Sequence, residues 1–399
     1  MSKKEFMSGD EAFAFGVKLA KPEVIAAYPI TPQTIVVERL SDYVADGDLD
    51  SQYIHVESEH SAIMAALGSS AMGARTFTAT SSQGLLYMAE GLPYVSGSRF
   101  PVVMMNANRA TAVPWSIYND HNDSMMFLNS GWIQVYVEDA QEALDMAIQA
   151  FRLAEDPRVM TPVMVNLDGF VLTHTYELVE IPDQELVDRF LPPYQTEHKM
   201  SLDAPKSVCI GVGPEYHMEF RYRQHHDFDH FPDVIREIDS EYREKFGRGY
   251  GVLSEQYRCE DAEAVLMTVG SITGSVREVV DDLRAEGIRV GVMKLRYLRP
   301  FPTEDILSLP ESVKAIGVLD KNLSYGYEGT VYTNVNSALS RGNRRIPTKD
   351  YICGLGGRNI SKENIRQIYL ELLNPAAIQE GEKVSFVNLH LDQEVDKNG

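Results

Sequence analysis

Ala27-Tyr28-Pro29-Ile30-Thr31-Pro32-Gln33-Thr34 lies between an apolar run, residues 24–27, and the pattern Ile35-Val36-Val37-Glu38-Arg39-Leu40. The run reads as a strand and the pattern as a helix over 32–44, so the stretch is a strand-to-helix junction. Thr31 is placed as an N-cap, and Pro32 takes the first helical position, where its missing N–H costs nothing. Backbone N–H groups left open at such a helix start converge on one point, which suits a carboxylate or a phosphate.

Working outward, the same alternation recurs. Strands are expected at 53–56, 75–79, 101–106, 132–136 and 162–166. Helices are expected from Ser8 to 19 and over 58–72, 83–94 and 140–154. Strands separated by helical patterns imply βαβ units and a doubly wound, mostly parallel α/β sheet, whose ligands bind beyond the C-terminal strand ends. Residues 172–260 interrupt the pattern with two proline-bearing stretches and a polar helical excursion over 215–246. Alternation resumes with strands at 264–269, 289–294 and 315–319 and helices at 275–286 and 360–373, the last capped by Ser361. The expected domains are 1–171, a connector over 172–260, a smaller α/β domain over 261–375 and a polar tail over 376–399.

Composition narrows the function. The 399 residues carry 58 acidic against 37 basic side chains, a net charge of −21, which argues against non-specific nucleic-acid binding. Cys209, Cys259 and Cys353 are far apart, with no metal-ligand spacing. They read as inert core thiols of a reduced compartment, and no metal or iron–sulfur site is expected in the chain itself. No signal-peptide h-region or spanning apolar run occurs, so the expected location is cytoplasmic.

Four constellations carry chemistry. Glu57-Ser58-Glu59-His60 follows a strand and opens a small-residue helix. One acid there is ordinary first-turn chemistry, and the other reading is a carboxylate facing the crevice. Thr78-Ala79-Thr80-Ser81-Ser82-Gln83-Gly84 places hydroxyls and a glycine at another strand-to-helix junction, suited to an anion or a polar ring, with a plain helix cap as the alternative. Asn106-Ala107-Asn108-Arg109 offers an arginine for bidentate carboxylate binding, or a simple surface arginine. The long loop from Pro114 to Ser124 carries Asn119, Asp120 and His121, His121 reading first as a hydrogen-bonded loop histidine. Walker A, GxSxG and HExxH motifs are absent, as is a Gly-Asp-Gly followed some thirty residues on by Asn.

Tyr28-Pro29-Ile30-Thr31-Pro32, Glu57-Ser58-Glu59-His60, Thr78 to Leu85, Asn108-Arg109-Ala110, Asn119-Asp120-His121, Leu167-Asp168-Gly169-Phe170 and Arg299-Pro300-Phe301-Pro302 together resemble the α subunit of the 2-oxoacid:ferredoxin oxidoreductases, closest to the pyruvate enzymes. The resemblance implies a thiamine-diphosphate pyrimidine-type domain followed by a transketolase C-terminal-like domain. It implies that Glu59 is catalytic, hydrogen-bonding the aminopyrimidine, and that Thr31, Arg109 and Tyr28 bind substrate. Pro29, Ser81, Ser82 and Gln83 would contact the cofactor, with Asn119, Asp120 and His121 as possible loop contacts.

The implied reaction converts a 2-oxoacid and coenzyme A to acyl-CoA and CO2, passing electrons to ferredoxin. The implied partners are a β subunit holding the diphosphate, Mg2+ and a 4Fe–4S cluster, a γ subunit and a ferredoxin-like subunit, in a dimer of hetero-oligomers. Leu128-Asn129 stands where the pattern has Arg-Asp. With Met104, Met105, Met125, Met126 and Phe127 this suggests an apolar region open to branched or aryl 2-oxoacids such as 2-oxoisovalerate or phenylglyoxylate. A non-catalytic scaffold and a self-sufficient thiamine enzyme are the other readings.

Overall fold

The computed structural model describes residues 3–391. In chain order the first elements are β1 (Lys3–Ser8), α1 (Gly9–Ala20), β2 (Val24–Ala27), α2 (Thr34–Ala45), β3 (Gln52–His55), α3 (Glu59–Ala71), β4 (Thr76–Thr80), α4 (Ser82–Tyr87) and α5 (Gly91–Gly97). Next come β5 (Val103–Asn108), α6 (Asn122–Met125), β6 (Ile133–Tyr136), α7 (Ala140–Ala154), β7 (Val163–Asp168), β8 (Tyr176–Ile181), α8 (Gln184–Phe190), α9 (Pro214–Asp227) and α10 (Phe231–Phe246). The rest are β9 (Ser254–Tyr257), β10 (Ala264–Thr268), α11 (Ile272–Ala285), β11 (Val290–Leu295), β12 (Tyr297–Arg299), α12 (Thr303–Leu307), β13 (Ala315–Asp320), α13 (Thr330–Leu339), β14 (Thr348–Ile352), α14 (Lys362–Leu372), α15 (Pro375–Glu380) and β15 (Val384–Phe386).

The chain divides into two units. The first is 3–255 with 295–302, and the second is 256–294 with 303–391. The first unit is built on a seven-stranded sheet ordered β12-β6-β7-β5-β4-β2-β3, in which only β12 runs antiparallel to its neighbour. Its inner strands β4, β5 and β7 are buried on both faces, as covered parallel strands are, while the edge strand β3 is largely exposed. One face packs against α1, α2 and α7, and the other against α3 and α5. Ser8 caps α1 and exchanges hydrogen bonds with Glu11 in a capping box. Gly16 lets α1 lie against α7, since a Cβ there would stand 2.5 Å from the Leu144 carbonyl oxygen.

Of the connector expected over 172–260, residues 172–255 are part of this first unit and 256–260 of the second. β8 pairs antiparallel with β1, and Phe231, Val234, Ile235, Ile238 and Tyr242 of α10 enter the core at helical spacing. α9, by contrast, buries no residue. The helix expected over 83–94 is two helices: Pro93 lacks an N–H and is tolerated only in a first turn, so the second helix starts at Gly91.

The segment 295–302 is anchored by Arg296, which is fully buried. Its Nε lies 2.5 Å from Glu142 Oε1, its Nη2 lies 3.0 Å from Glu255 Oε2, and its Nη1 donates to the Tyr250 carbonyl. Beside this anchor, β12 adds to the edge of the sheet at β6.

In the second unit β15, β14, β13, β10 and β11 form a parallel sheet in that order, with α11 and α14 over one face. The expected polar tail includes most of α15 and an edge strand, β15, as far as residue 391, and its remainder, 392–399, lies outside the described residues. Cys259 and Cys353 are buried, and burial pushes both thiols up to about 12. Cys209 departs from the expectation of a core thiol: it lies exposed in the loop before α9. Among the described residues no helix is long and apolar enough to cross a membrane.

Candidate functional site

β2 pairs with β3 on one side and β4 on the other, so strand order reverses there. The crevice beyond the C-terminal ends of β2 and β4 is where open α/β sheets bind ligands. Four groups of quoted residues leave the C-terminal ends of four neighbouring strands: Tyr28 to Gln33 after β2, Glu57 to Glu59 after β3, Ser81 to Gln83 after β4, and Arg109 after β5.

The two acids after β3 separate. Glu57 is exposed and accepts a hydrogen bond from Ser61 Oγ, which holds its carboxyl below the usual range. It precedes the Ser58 cap and lies outside the helix, so the acid of the first turn is Glu59. Glu59, the first residue of α3 after the Ser58 cap, is 8% exposed, and no residue among those described hydrogen-bonds its carboxylate. It lies against Gly84 of α4, where a Cβ would stand 2.6 Å from both Glu59 Oε1 and Thr80 Oγ1. Only glycine at that position lets α4 approach the carboxylate so closely. The hydroxyls of Thr78, Thr80 and Ser81 are buried without a hydrogen-bond partner in the structure.

Thr31 is not an N-cap. A turn closed by the Gln33 N–H to the Ile30 carbonyl (2.9 Å) intervenes, and α2 begins at Thr34 with Gln33 as its cap residue. Pro32 is therefore in the turn rather than at the first helical position. Gln33 Nε2 donates to the carbonyls of Tyr28 (2.8 Å) and Ala79 (3.4 Å), tying the turn to β4. Tyr28 is half-buried and Pro29 exposed. Thr31 and Arg109 do meet, through the Thr31 backbone: Arg109 Nη1 donates to its carbonyl at 2.7 Å. The Arg109 Nε is buried with no partner, burial pulls the guanidinium below its usual range, and its far side faces the Trp115 ring at 5.6 Å.

Behind these groups is a buried polar network centred on Asp123, which the sequence reading did not single out. Its Oδ2 accepts from Ser82 N (3.0 Å), Arg109 N (3.2 Å) and Asn106 Nδ2 (3.3 Å). Its Oδ1 accepts from Ser124 N (2.7 Å) and Asn108 Nδ2 (2.8 Å). The turn it holds includes Ser82 at φ 49°, a left-handed conformation that costs a non-glycine residue energy. Ser82 Oγ spans from Gln83 Oε1 to the Ala110 carbonyl. Burial pushes the Asp123 carboxyl up to about 6, against the pull of the Asn108, Ser124 and Ser82 donors.

A signal for this network was present in the sequence. Asn106 and Asn108 alternate on one face of β5, and Asn166 and Asp168 do the same on β7, in exact register opposite them. Polar pairs at matching ends of two apolar strands mark a shared buried layer.

The loop residues are also buried. Asn119 keeps one unpartnered oxygen, Asp120 Oδ1 accepts from the Asn122 N–H, and His121 Nε2 lies 2.6 Å from Asp168 Oδ1, both side chains enclosed. His121 is thus a satisfied buried histidine. Met104 and Met105 are core residues on opposite faces of β5 and do not line the crevice, so they lend no support to a bulkier substrate.

Comparison with known proteins gives a consistent result. The family described as pyruvate flavodoxin/ferredoxin oxidoreductase, thiamine diphosphate-binding, matches residues 15–240, and pyruvate:ferredoxin oxidoreductase core domain II matches residues 262–365. The chain is 47% identical to pyruvate synthase subunit PorA of Methanothermobacter thermautotrophicus, covering 92% of this chain and 95% of that one. It is 44% identical to ketoisovalerate oxidoreductase subunit VorA of Pyrococcus horikoshii, covering 92% of each.

Among solved structures, the 2-oxoglutarate:ferredoxin oxidoreductase of Magnetococcus marinus aligns with a TM-score of 0.71 at 22% identity, over 93% of this chain and 65% of that longer one. A split-gene transketolase aligns with a TM-score of 0.54 at 13% identity, over 93% of this chain and 99% of that one. These two likenesses concern the fold, which is a thiamine-diphosphate pyrimidine-type domain followed by a transketolase C-terminal-like domain. On its matched profile and on relatives aligned over nearly their whole length, the chain belongs to the pyruvate flavodoxin/ferredoxin oxidoreductase family.

Proposed function

We propose that this chain is the subunit that supplies the pyrimidine side of a thiamine diphosphate site in a 2-oxoacid:ferredoxin oxidoreductase. The observation that carries the reading is Glu59, a mostly enclosed residue whose carboxylate no described residue hydrogen-bonds, at the strand-order reversal. The residues fit a polar heterocycle: an open acceptor in Glu59, three unpartnered buried hydroxyls, and a glycine that keeps α4 close. When bound, thiamine diphosphate supplies a nucleophilic carbon and an electron sink for loss of CO2. Glu59 holds or shares a proton at a ring nitrogen. Thr80 and Ser81 offer hydroxyls to the ring edge, and Pro29 and Gln83 complete that side.

The overall reaction balances as 2-oxoacid and coenzyme A giving acyl-CoA, CO2, a proton and two electrons for ferredoxin. Arg109, with an unused Nε, takes the substrate carboxylate beside Thr31 and Tyr28. That carboxylate leaves as CO2, so a strong ground-state clamp gains nothing for the chemical step, and Arg109 serves chiefly to bind and orient. Arg109→Ala is therefore expected to raise KM for the 2-oxoacid well beyond any fall in kcat, and a large kcat loss at unchanged KM would refute the assignment. The diphosphate, Mg2+ and a cluster fall to a partner subunit, since the chain lacks the Gly-Asp-Gly…Asn motif. The assembly includes γ and ferredoxin-like subunits.

The test is turnover of the reconstituted complex, with coenzyme A and ferredoxin, on pyruvate, 2-oxoisovalerate and phenylglyoxylate. The highest kcat/KM is expected with pyruvate, and no turnover on any 2-oxoacid would sink the reading. The branched-chain substrate is the second reading, favoured by the 44% identity to a ketoisovalerate subunit, and preference for 2-oxoisovalerate would select it.

A further inference from the structure

None of the steps assigned above uses Asp123, yet its carboxylate bonds to both walls of the crevice. Through Oδ2 it holds the Arg109 and Ser82 backbone N–H groups, and through Oδ1 it holds Asn108 at the end of β5. It is wholly enclosed, and five donors converge on its two oxygens. A neutral acid has one oxygen that is itself a donor, so it cannot accept all five.

We infer that Asp123 is a positioning residue: its carboxylate sets the Arg109 backbone and the Ser81-Ser82 turn at the geometry substrate binding requires. This rests on the reading of Arg109 as the substrate-carboxylate contact. Protonation of Asp123 releases at least one wall, loosening Arg109 from its place beside Thr31. The charged and titratable groups that face Asp123 are Asp120 on the same loop, Arg109 beyond β5, and the Tyr136 phenol on β6. Asp120 opposes ionisation and Arg109 favours it. Burial dominates and places the carboxyl at about 6. Its raised value means that its own contribution to stability declines as pH rises from the ordinary aspartate range to about 6 and is level above that. Its contribution to substrate binding runs the opposite way, present above about 6 and lost below.

Two readouts test this. In the complex, Asp123→Asn keeps the volume but turns an amide N–H2 toward two or three donors. It is expected to raise KM for the 2-oxoacid roughly tenfold, with a much smaller change in kcat. The acid limb of kcat/KM near pH 6 in the wild type should vanish in the variant.

The second readout needs no turnover. The chain has two tryptophans, of which Trp132 is fully buried, while Trp115 is exposed beside the Arg109 guanidinium. Iodide quenching of the full chain therefore reports on Trp115. It should change with a midpoint near pH 6 in the wild type and not in Asp123→Asn. Wild-type quenching flat through pH 6, or a variant with unchanged KM and pH profile, would overturn the inference. If the variant does not fold, the wild-type titration decides alone. A complex inert to every 2-oxoacid would instead refute the functional reading, leaving the quenching result to judge the link between Asp123 and Arg109.

Discussion

Glu59→Gln is expected to lower kcat of the reconstituted complex by about 10²–10⁴-fold. The substitution keeps volume and hydrogen-bonding shape, so the close fit against Gly84 survives. It removes the capacity to hold or share a proton. The effect should fall on kcat and kcat/KM together, because the proton is needed in the reaction rather than in binding. Circular dichroism and the thermal midpoint should be near those of the wild type, since no described residue donates a hydrogen bond to this carboxylate. Undiminished turnover would mean that the chain serves as a scaffold and the chemistry lies elsewhere.

The second large effect concerns folding. Arg296→Met removes a guanidinium from a buried carboxylate, Glu142, and leaves that charge in a low-dielectric interior. Breaking one partner of such a pair costs about 3–5 kcal/mol, far more than the pair contributes over an apolar replacement. For a unit of this size the midpoint of thermal unfolding should fall by on the order of 10 °C. Arg296→Met with Glu142→Gln should recover part of the loss, since neither charge then remains. Calorimetry of the full chain measures both, and an unchanged midpoint in the single variant would show that the pair is not enclosed as described. The consequence reaches the site, because Arg296 holds the segment that adds β12 beside β6, and Tyr136 of β6 hydrogen-bonds Ser124 next to Asp123.

Much of this architecture was legible in the chain. The α1 cap at Ser8 and the α14 cap at Ser361 sit where a hydroxyl precedes an apolar helical period. β2 and α7 begin and end where the pattern placed them. Such signals are local: a cap needs three residues and a strand needs five. The same local logic misplaced Thr31. Its residue type and the following proline satisfy the rules for a cap, but the turn closed by Ile30 and Gln33 moved the helix start two residues on.

The crevice was less legible. Glu57 and Glu59 are equivalent on local grounds, and only the packing of α3 against α4 turns Glu59 inward and leaves Glu57 to Ser61. Met104 and Met105 looked like a pliable surface and proved to be two faces of a central strand.

By itself, the sequence determined the alternation of strands and helices, the caps, and the residue types waiting at each strand end, because hydrophobic period and side-chain-to-backbone bonds act within a few residues. The tertiary structure alone decided which strands are neighbours. That order places β2 between β3 and β4, sets Asn106 and Asn108 opposite Asn166 and Asp168, and brings Asp123 under Arg109 and Ser82. These pairings join residues up to sixty positions apart. Strand order and register come from burying both faces of the sheet at once, a sum over the whole core that no local window contains.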